Sequence, residues 1–191
     1  MPLIMTSGPA TEPVTAAEAK AHLRVDGSAE DVLISSLILT SRLHIEAALG
    51  LALITQGWTL LLDAWPKGPS VAIPIRPVQA INAVRVRAAD ATPATLAASD
   101  YVLEGKGLPP RLVRTRQDWP VPGRVAAGIE IDFTAGFGSL AADVPAPIRH
   151  ALLMLVAHWY EHRDPIEIGS VEANIPAPVS ELLMPYRVPR L

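Results

Sequence analysis

A chain of 191 residues that is 50% hydrophobic is long enough to bury one substantial core and too short for several. Its formal charge of -3 argues against a protein whose main task is to coat nucleic acid, since that needs an excess of Lys and Arg; local basic patches stay compatible with it. The lack of cysteine excludes disulfide staples and thiolate metal sites, and fits a reducing cytoplasm.

Aromatic residues make up only 5% of the chain against 19 prolines, so the expected core is aliphatic and the connections stiff. The first residues, MPLIMTSGPA, have no basic region followed by a long apolar stretch, so no secretion signal is expected. The apolar runs DVLISSLILTS and LLMLVA are bounded by charged residues and fall short of the ~20 residues that span a bilayer, so no membrane span is expected.

Residues 1–13, with three prolines and no periodicity, read as a flexible N-terminal arm. Thr15 followed by Glu18 is a capping box, which starts a short helix expected to reach about Arg24. Val25-Asp26-Gly27 breaks it. Ser28 with Asp31 starts a longer helix, which Gly50 can end in a left-handed cap. Val32, Ile34, Leu37, Ile38, Ile45 and Leu49 supply more apolar surface than one stripe, so this helix is expected to meet another chain as well as its own core.

From Ile54 the pattern changes to alternation, with Trp58, Leu60 and Leu62 on one side and Thr59, Leu61 and Asp63 on the other. Further strands are expected at residues 70–75, 81–87, 101–103, 111–115 and 129–134, separated by Pro- and Gly-rich turns. Val84 and Val86 alternate with Arg85 and Arg87, which reads as a half-exposed strand whose arginines are either solvated or held for a charged partner. The glycines of Thr134-Ala135-Gly136-Phe137-Gly138-Ser139 are not followed by G-K-[ST], so the segment reads as a turn rather than a phosphate loop. Pro145 and Pro147 fit the start of a third helix, expected from about Ala146 to Arg163 and stopped by Pro165. A proline-rich tail follows, with one short amphipathic piece at residues 179–186.

The fold class read from these signals is α+β. A three-helix core, made of two N-terminal helices and one C-terminal helix, carries an inserted small antiparallel β module and an extended C-terminal arm. The divisions are residues 1–13 as flexible arm, 14–50 and 141–164 as the two parts of the helical core, 51–140 as the β module and 165–191 as the C-terminal arm.

His158-Trp159-Tyr160-Glu161-His162 matches the H-x-x-E-H pattern of one class of zinc peptidases. Two imidazoles four residues apart share a helix flank, yet a catalytic zinc needs three protein ligands and a water. The acids that follow, Glu167, Glu172 and Glu181, lie in a proline-rich tail that offers no rigid support. The plainer reading has Trp159 in the core and both histidines at a helix end or a subunit contact, where His162 favours the negative helix terminus. Ser35, Ser36, Ser41 and Ser139 lack a nucleophile-elbow setting. No catalytic residue, metal ligand or cofactor is assigned, and a zinc-dependent hydrolase is kept only as the alternative function.

Five segments, in order, carry a resemblance. They are Val14-Thr15-Ala16-Ala17-Glu18-Ala19-Lys20-Ala21-His22-Leu23-Arg24-Val25-Asp26, Ala52-Leu53-Ile54-Thr55-Gln56-Gly57-Trp58, Leu62-Asp63-Ala64-Trp65-Pro66, Phe133-Thr134-Ala135-Gly136-Phe137-Gly138 and Leu155-Val156-Ala157-His158-Trp159-Tyr160-Glu161-His162-Arg163. Together they resemble the head-tail connector (adaptor) proteins of tailed bacteriophages and phage-like gene transfer agents, from about residue 14 to the Leu182-Leu183-Met184-Pro185-Tyr186-Arg187 piece. Where members commonly have Asn, this chain has His162, which points away from metal ligation.

The resemblance implies a structural protein of the particle neck, not an enzyme. It would assemble in the bacterial cytoplasm as a ring of about a dozen copies on the portal vertex and link the DNA-filled head to a stopper or tail. Its implied partners are other copies of itself, the portal protein, a stopper or other tail-side connector, and double-stranded DNA passing through the channel; no membrane is involved. Leu182, Leu183 and Tyr186 are the apolar anchors expected to dock in a portal groove, with Arg187 as their polar partner. The arm can equally fold back on its own subunit. Arg111, Arg114 and Arg116 are the candidates for the DNA channel, and a solvated or intersubunit strand explains them as well.

Overall fold

The computed structural model describes residues 2–115, 118–162 and 175–188. The chain divides into two compact units, each drawn from separate stretches: Met1–Ala10 with Gly50–Phe137, and Thr11–Leu49 with Gly138–Leu191.

In the second unit, α1 (Ala16–Leu23) begins at the capping box read from the sequence. The Glu18 amide donates to the Thr15 hydroxyl at 3.1 Å, and the Thr15 amide donates to the Glu18 carboxylate at 2.7 Å. That backbone bond, with help from the Thr15 hydroxyl and Arg149, outweighs the opposing effect of burial and holds the Glu18 carboxyl below its ordinary pKa. Arg24 closes the helix in the left-handed region at φ 58°. α2 (Asp31–Leu49) ends at Gly50, whose φ is +62° and whose Cβ, if it had one, would lie 3.2 Å from the Pro74 carbonyl oxygen. α3 (Ala146–Glu161) starts behind Pro145 with Pro147 in its first turn; its expected end, Arg163, lies outside the described residues. α4 (Ala177–Leu183) runs on into a tight turn over Met184–Tyr186.

α1, α2 and α3 pack on one another, and α4 packs on α3. Ile34, Ile38 and Ile45 of α2 and Ile148, Leu152, Leu155 and Val156 of α3 are buried, at the helical spacing their sequence carries. Arg42 donates from Nε to Glu12 at 2.7 Å and from Nη1 to Glu46 at 2.8 Å. Arg149 donates to the Pro13 carbonyl at 3.0 Å and pairs with Glu18.

In the other unit the described strands all pair antiparallel, and an isolated parallel bridge joins Leu51 to Arg76. One sheet has five strands, β1 (Leu3–Ser7), β2 (Gln56–Leu62), β4 (Val78–Arg87), β5 (Pro93–Thr95) and β8 (Ile129–Ala135), in the order β1-β2-β8-β4-β5. The second has three, β3 (Ser70–Ala72), β6 (Tyr101–Glu104) and β7 (Arg111–Arg114), in the order β3-β7-β6. Val71 and Leu112 from the small sheet join Leu60, Val84, Ile129, Ile131 and Phe133 from the large one in a single core. Register sets three apolar rows across β2, β8 and β4: Trp58-Phe133-Ile81, whose outer two members are half-buried, and the buried rows Leu60-Ile131-Val84 and Leu62-Ile129-Val86. A bulge between Ile81 and Ala83 puts Ile81 on the same side as Val84, which strict alternation would have placed opposite. Gly136 follows β8 at φ +139°, where a Cβ would sit 2.6 Å from the Thr55 amide; only glycine fits this turn.

Three expectations differ from the structure. The flexible arm at residues 1–13 is not found: Leu3–Ser7 form an edge strand on β2, Glu12 is held by Arg42, and Pro13 accepts from Arg149. Strand pairing stabilises a segment whose own sequence shows no alternation. β5 was not expected; it begins at Pro93, and an edge strand tolerates a residue with no amide hydrogen to donate. The extended C-terminal arm is, over Ala177–Leu183, a helix packed on α3.

Candidate functional site

The four residues expected to bind a portal lie together on α4 and the turn after it, but they do not all face outward. Leu183 is buried with Val179, one helical turn before it, so both serve their own unit. Leu182 and Tyr186 are half-buried and Arg187 is exposed. Met184, 64% exposed, and Val188, also exposed, lie beside them and stand out only in the structure. The spacing of Val179 and Leu183 was the signal that this part of the segment packs at home.

The basic candidates are matched by acids. Arg111 reaches Glu104, its cross-strand neighbour, at 3.5 Å, and Arg114 pairs with Asp118; Arg116 lies outside the described residues. On the large sheet Arg87 binds Glu130 at 2.6 Å, and Arg85 is held by Asp132, which also accepts from the Thr59 hydroxyl at 2.6 Å. The polar face of β4 and β8 is therefore a ladder of opposite charges, the arrangement that stabilises cross-strand neighbours. Arg85 and Arg87 each have an acid of the neighbouring strand as partner.

His158 and His162 have ring centroids 4.6 Å apart, and the His162 Nδ1 lies 2.8 Å from the His158 carbonyl oxygen, where an N–H donates to it. Among the described residues no group of three His, Asp or Glu side chains converges on one point. Glu167 and Glu172 lie outside those residues, and Glu181 is exposed on α4. Trp159, half-buried, meets the edge of His44 at 5.7 Å. The imidazole pair thus closes the last turn of α3 by a backbone contact, as a helix-end histidine does.

Two of the hollows among the described residues of the helical unit are lined by titratable side chains. One, of about 680 Å³, is lined by small residues of α1 with Lys20, Arg24, Asp26 and Asp31, and its lysine is already bonded to Asp31 at 2.7 Å. The other, of about 370 Å³, lies between α1 and α3 and is lined by His22, His150, Met154, Ala157, His158 and Glu161. His22 and His150 meet there edge to face, 6.2 Å apart.

α2 divides its apolar residues between two faces, which answers the excess noted in its sequence. Ile34, Ile38 and Ile45 are buried, whereas Val32 is 87%, Leu39 42% and Leu43 46% exposed. By length and composition α2 is the one described helix able to cross a bilayer. Instead, one face carries the buried pair Arg42 and Glu46 and packs on α1 and α3.

No protein-family model matches the sequence, and no curated protein matches it. Solved structures do. A chain in the neck of an empty gene transfer agent particle, computed with six-fold symmetry, is 28% identical at a TM-score of 0.87, over 100% of this chain and 97% of that one. A chain in the neck of a native particle, computed with twelve-fold symmetry, is 29% identical at a TM-score of 0.83 with the same coverage. A chain in the virion of a native gene transfer agent particle is 29% identical at a TM-score of 0.82, again over 100% and 97%. From end to end, this chain has the fold of a structural protein from the neck of such particles.

Proposed function

We propose that this protein is a head-tail connector of the adaptor kind, which forms a ring on the portal vertex of a phage or gene transfer agent particle and joins the DNA-filled head to the stopper and tail. The observation that carries the reading is the full-length likeness, at a TM-score of 0.87, to a chain solved within a particle neck. The symmetry of the two neck structures, six-fold and twelve-fold, supports self-association around an axis. The ordered motifs from the capping box at Thr15 to His162 support the adaptor assignment within the neck.

In this reading α4 and its following turn meet the portal through Leu182, Met184, Tyr186 and Arg187, while Leu183 holds the helix to its own unit. The β7 arginines, Arg111 and Arg114, lie toward the passing DNA with Glu104 and Asp118 beside them. Paired charges of that kind let a duplex slide past without gripping it.

Removing residues 179–191 does not test the arm cleanly, because it also removes the buried Val179 and Leu183, worth ~1.5 to 3 kcal/mol each to the fold. The clean test uses the exposed positions. A Met184→Asp, Arg187→Glu variant should keep its melting temperature and lose at least about ten-fold in affinity for the particle's own portal protein in a pull-down titration, the loss of ~1.4 kcal/mol of contact. Undiminished binding by the folded variant removes this arm from the portal contact. No binding by the unsubstituted chain removes the adaptor role itself.

A further inference from the structure

We propose that the outer face of α2 in one copy seats on the hollow between α1 and α3 of the next copy, so that the helical unit carries both halves of a head-to-tail contact. The inference rests on the ring reading and adds which surfaces close the ring.

The outer face is built for a protein partner. Val32, Ser36, Leu39, Leu43 and Ala47 fall on one side of α2 at helical spacing; all five are exposed, and none is charged. Ser36 and Ala47 are small enough to let a neighbour approach the backbone closely. Singly exposed apolar residues are ordinary, but three large ones along one helix face are an interaction surface that solvent alone does not explain.

The receiving surface is different in kind. His150, Met154, Ala157 and Glu161 form the outer stripe of α3, and with His22 of α1 they surround a hollow of about 370 Å³. Its apolar lining is Met154 and Ala157, a flexible thioether beside a methyl group, which can adapt to aliphatic knobs. The histidines and Glu161 make a polar rim, as an interface core with a wet edge requires.

Placement makes these two surfaces the ends of one subunit contact. At 3.6 residues per turn, the outer stripe of α2 lies roughly 150° around that helix from Ile34, Ile38 and Ile45, and the outer stripe of α3 lies roughly 150° from Leu152 and Leu155. The buried sides of α2 and α3 pack together, so the two outer stripes point away from each other. Unlike surfaces on opposite sides of one unit associate head to tail, and a small rotation at each step closes the series into a ring. A second copy is therefore the occupant favoured over a portal or stopper. In the six-fold and twelve-fold necks that hold similar chains, symmetry brings identical copies side by side.

The chain has no cysteine, so the introduced thiols are the only ones it carries. Leu39→Cys combined with Met154→Cys, loaded on portal-bearing heads and mildly oxidised, should give a ladder of disulfide-linked multimers on a non-reducing gel. Each single variant should give none. A loaded double variant without a ladder overturns the assignment. So do dimers from Leu39→Cys alone, which would put like faces together, or a cross-link from it to a thiol-bearing portal.

Leu43→Glu provides a second readout. Because Leu43 is exposed, its melting temperature should stay within the ordinary range for a surface change, while the copies retained per head fall at least about ten-fold. Retention at the unsubstituted level overturns the inference with the ring left standing. Failure of the unsubstituted chain to load heads overturns the ring reading and this inference with it.

Discussion

Replacing Arg42 with alanine is expected to destabilise the helical unit by ~3 kcal/mol, a loss of roughly 6 to 12 °C in melting temperature for a chain of this size. The Arg42 side chain is 5% exposed and that of Glu46, one turn later, is 9% exposed. Burial by itself favours discharging the guanidinium; the carboxylates of Glu12 and Glu46 overcome it, and the pKa of Arg42 is raised above its ordinary value. Alanine would leave the Glu46 carboxylate buried without that cation, and would free Glu12 and the segment leading into α1. The energy at stake is chiefly the cost of a stranded charge rather than the worth of the pair. An Arg42→Met, Glu46→Leu double variant should therefore recover most of the loss. Urea titrations of the three proteins check both statements, and a single variant within 1 kcal/mol of the parent contradicts the first.

Phe133→Ala should cost about 3 to 5 kcal/mol, the range for removing a fully buried aromatic from a core that cannot collapse around the gap. Phe133 lies at the centre of the five-stranded sheet, between Trp58 of β2 and Ile81 of β4, and has no solvent-exposed surface. Its neighbours are fixed by strand register, so they cannot slide in to fill the space. Val102→Ala, on an exposed position of β6, serves as the control and should fall within about 0.5 kcal/mol of the parent. Equal effects at the two sites would mean that Phe133 is not where the β core is tightest.

Local rules account for much of this architecture. The capping box at Thr15 and Glu18, the glycine stop at Gly50, and the prolines before α3 each act within a few residues, and each appears where its chemistry demands. Alternation likewise marked β2, β4 and β8. β1 was illegible because its structure comes from β2, a partner distant in sequence, and β5 because its three residues, opening on proline, carry no alternation of their own and are strand only through the hairpin with nearby β4. The bulge on β4 was hidden for the same reason, since register is a property of a pair of strands.

The surfaces proposed for assembly were legible in part. Excess apolar residues on α2 foretold an outward face, and the structure identifies Val32, Leu39 and Leu43 as its members. The hollow at Met154 had no sequence signature, because it arises where α1 meets α3. Near the C-terminus, treating Leu182, Leu183 and Tyr186 as one set of anchors overlooked that Val179 and Leu183 share a helix face, and that face packs on α3. The H-x-x-E-H spacing shows the converse. A pattern of residue types at i and i+4 arises from helical geometry alone, and His158 and His162 use it for a contact at a helix end.

On the reading of this chain as a ring-forming piece of a particle neck, electron microscopy of portal-bearing heads incubated with the purified protein should show a closed ring of about a dozen copies added at the portal vertex, coaxial with the DNA channel. Protein bound at other sites on the shell, or single copies at the vertex with no ring, would contradict it.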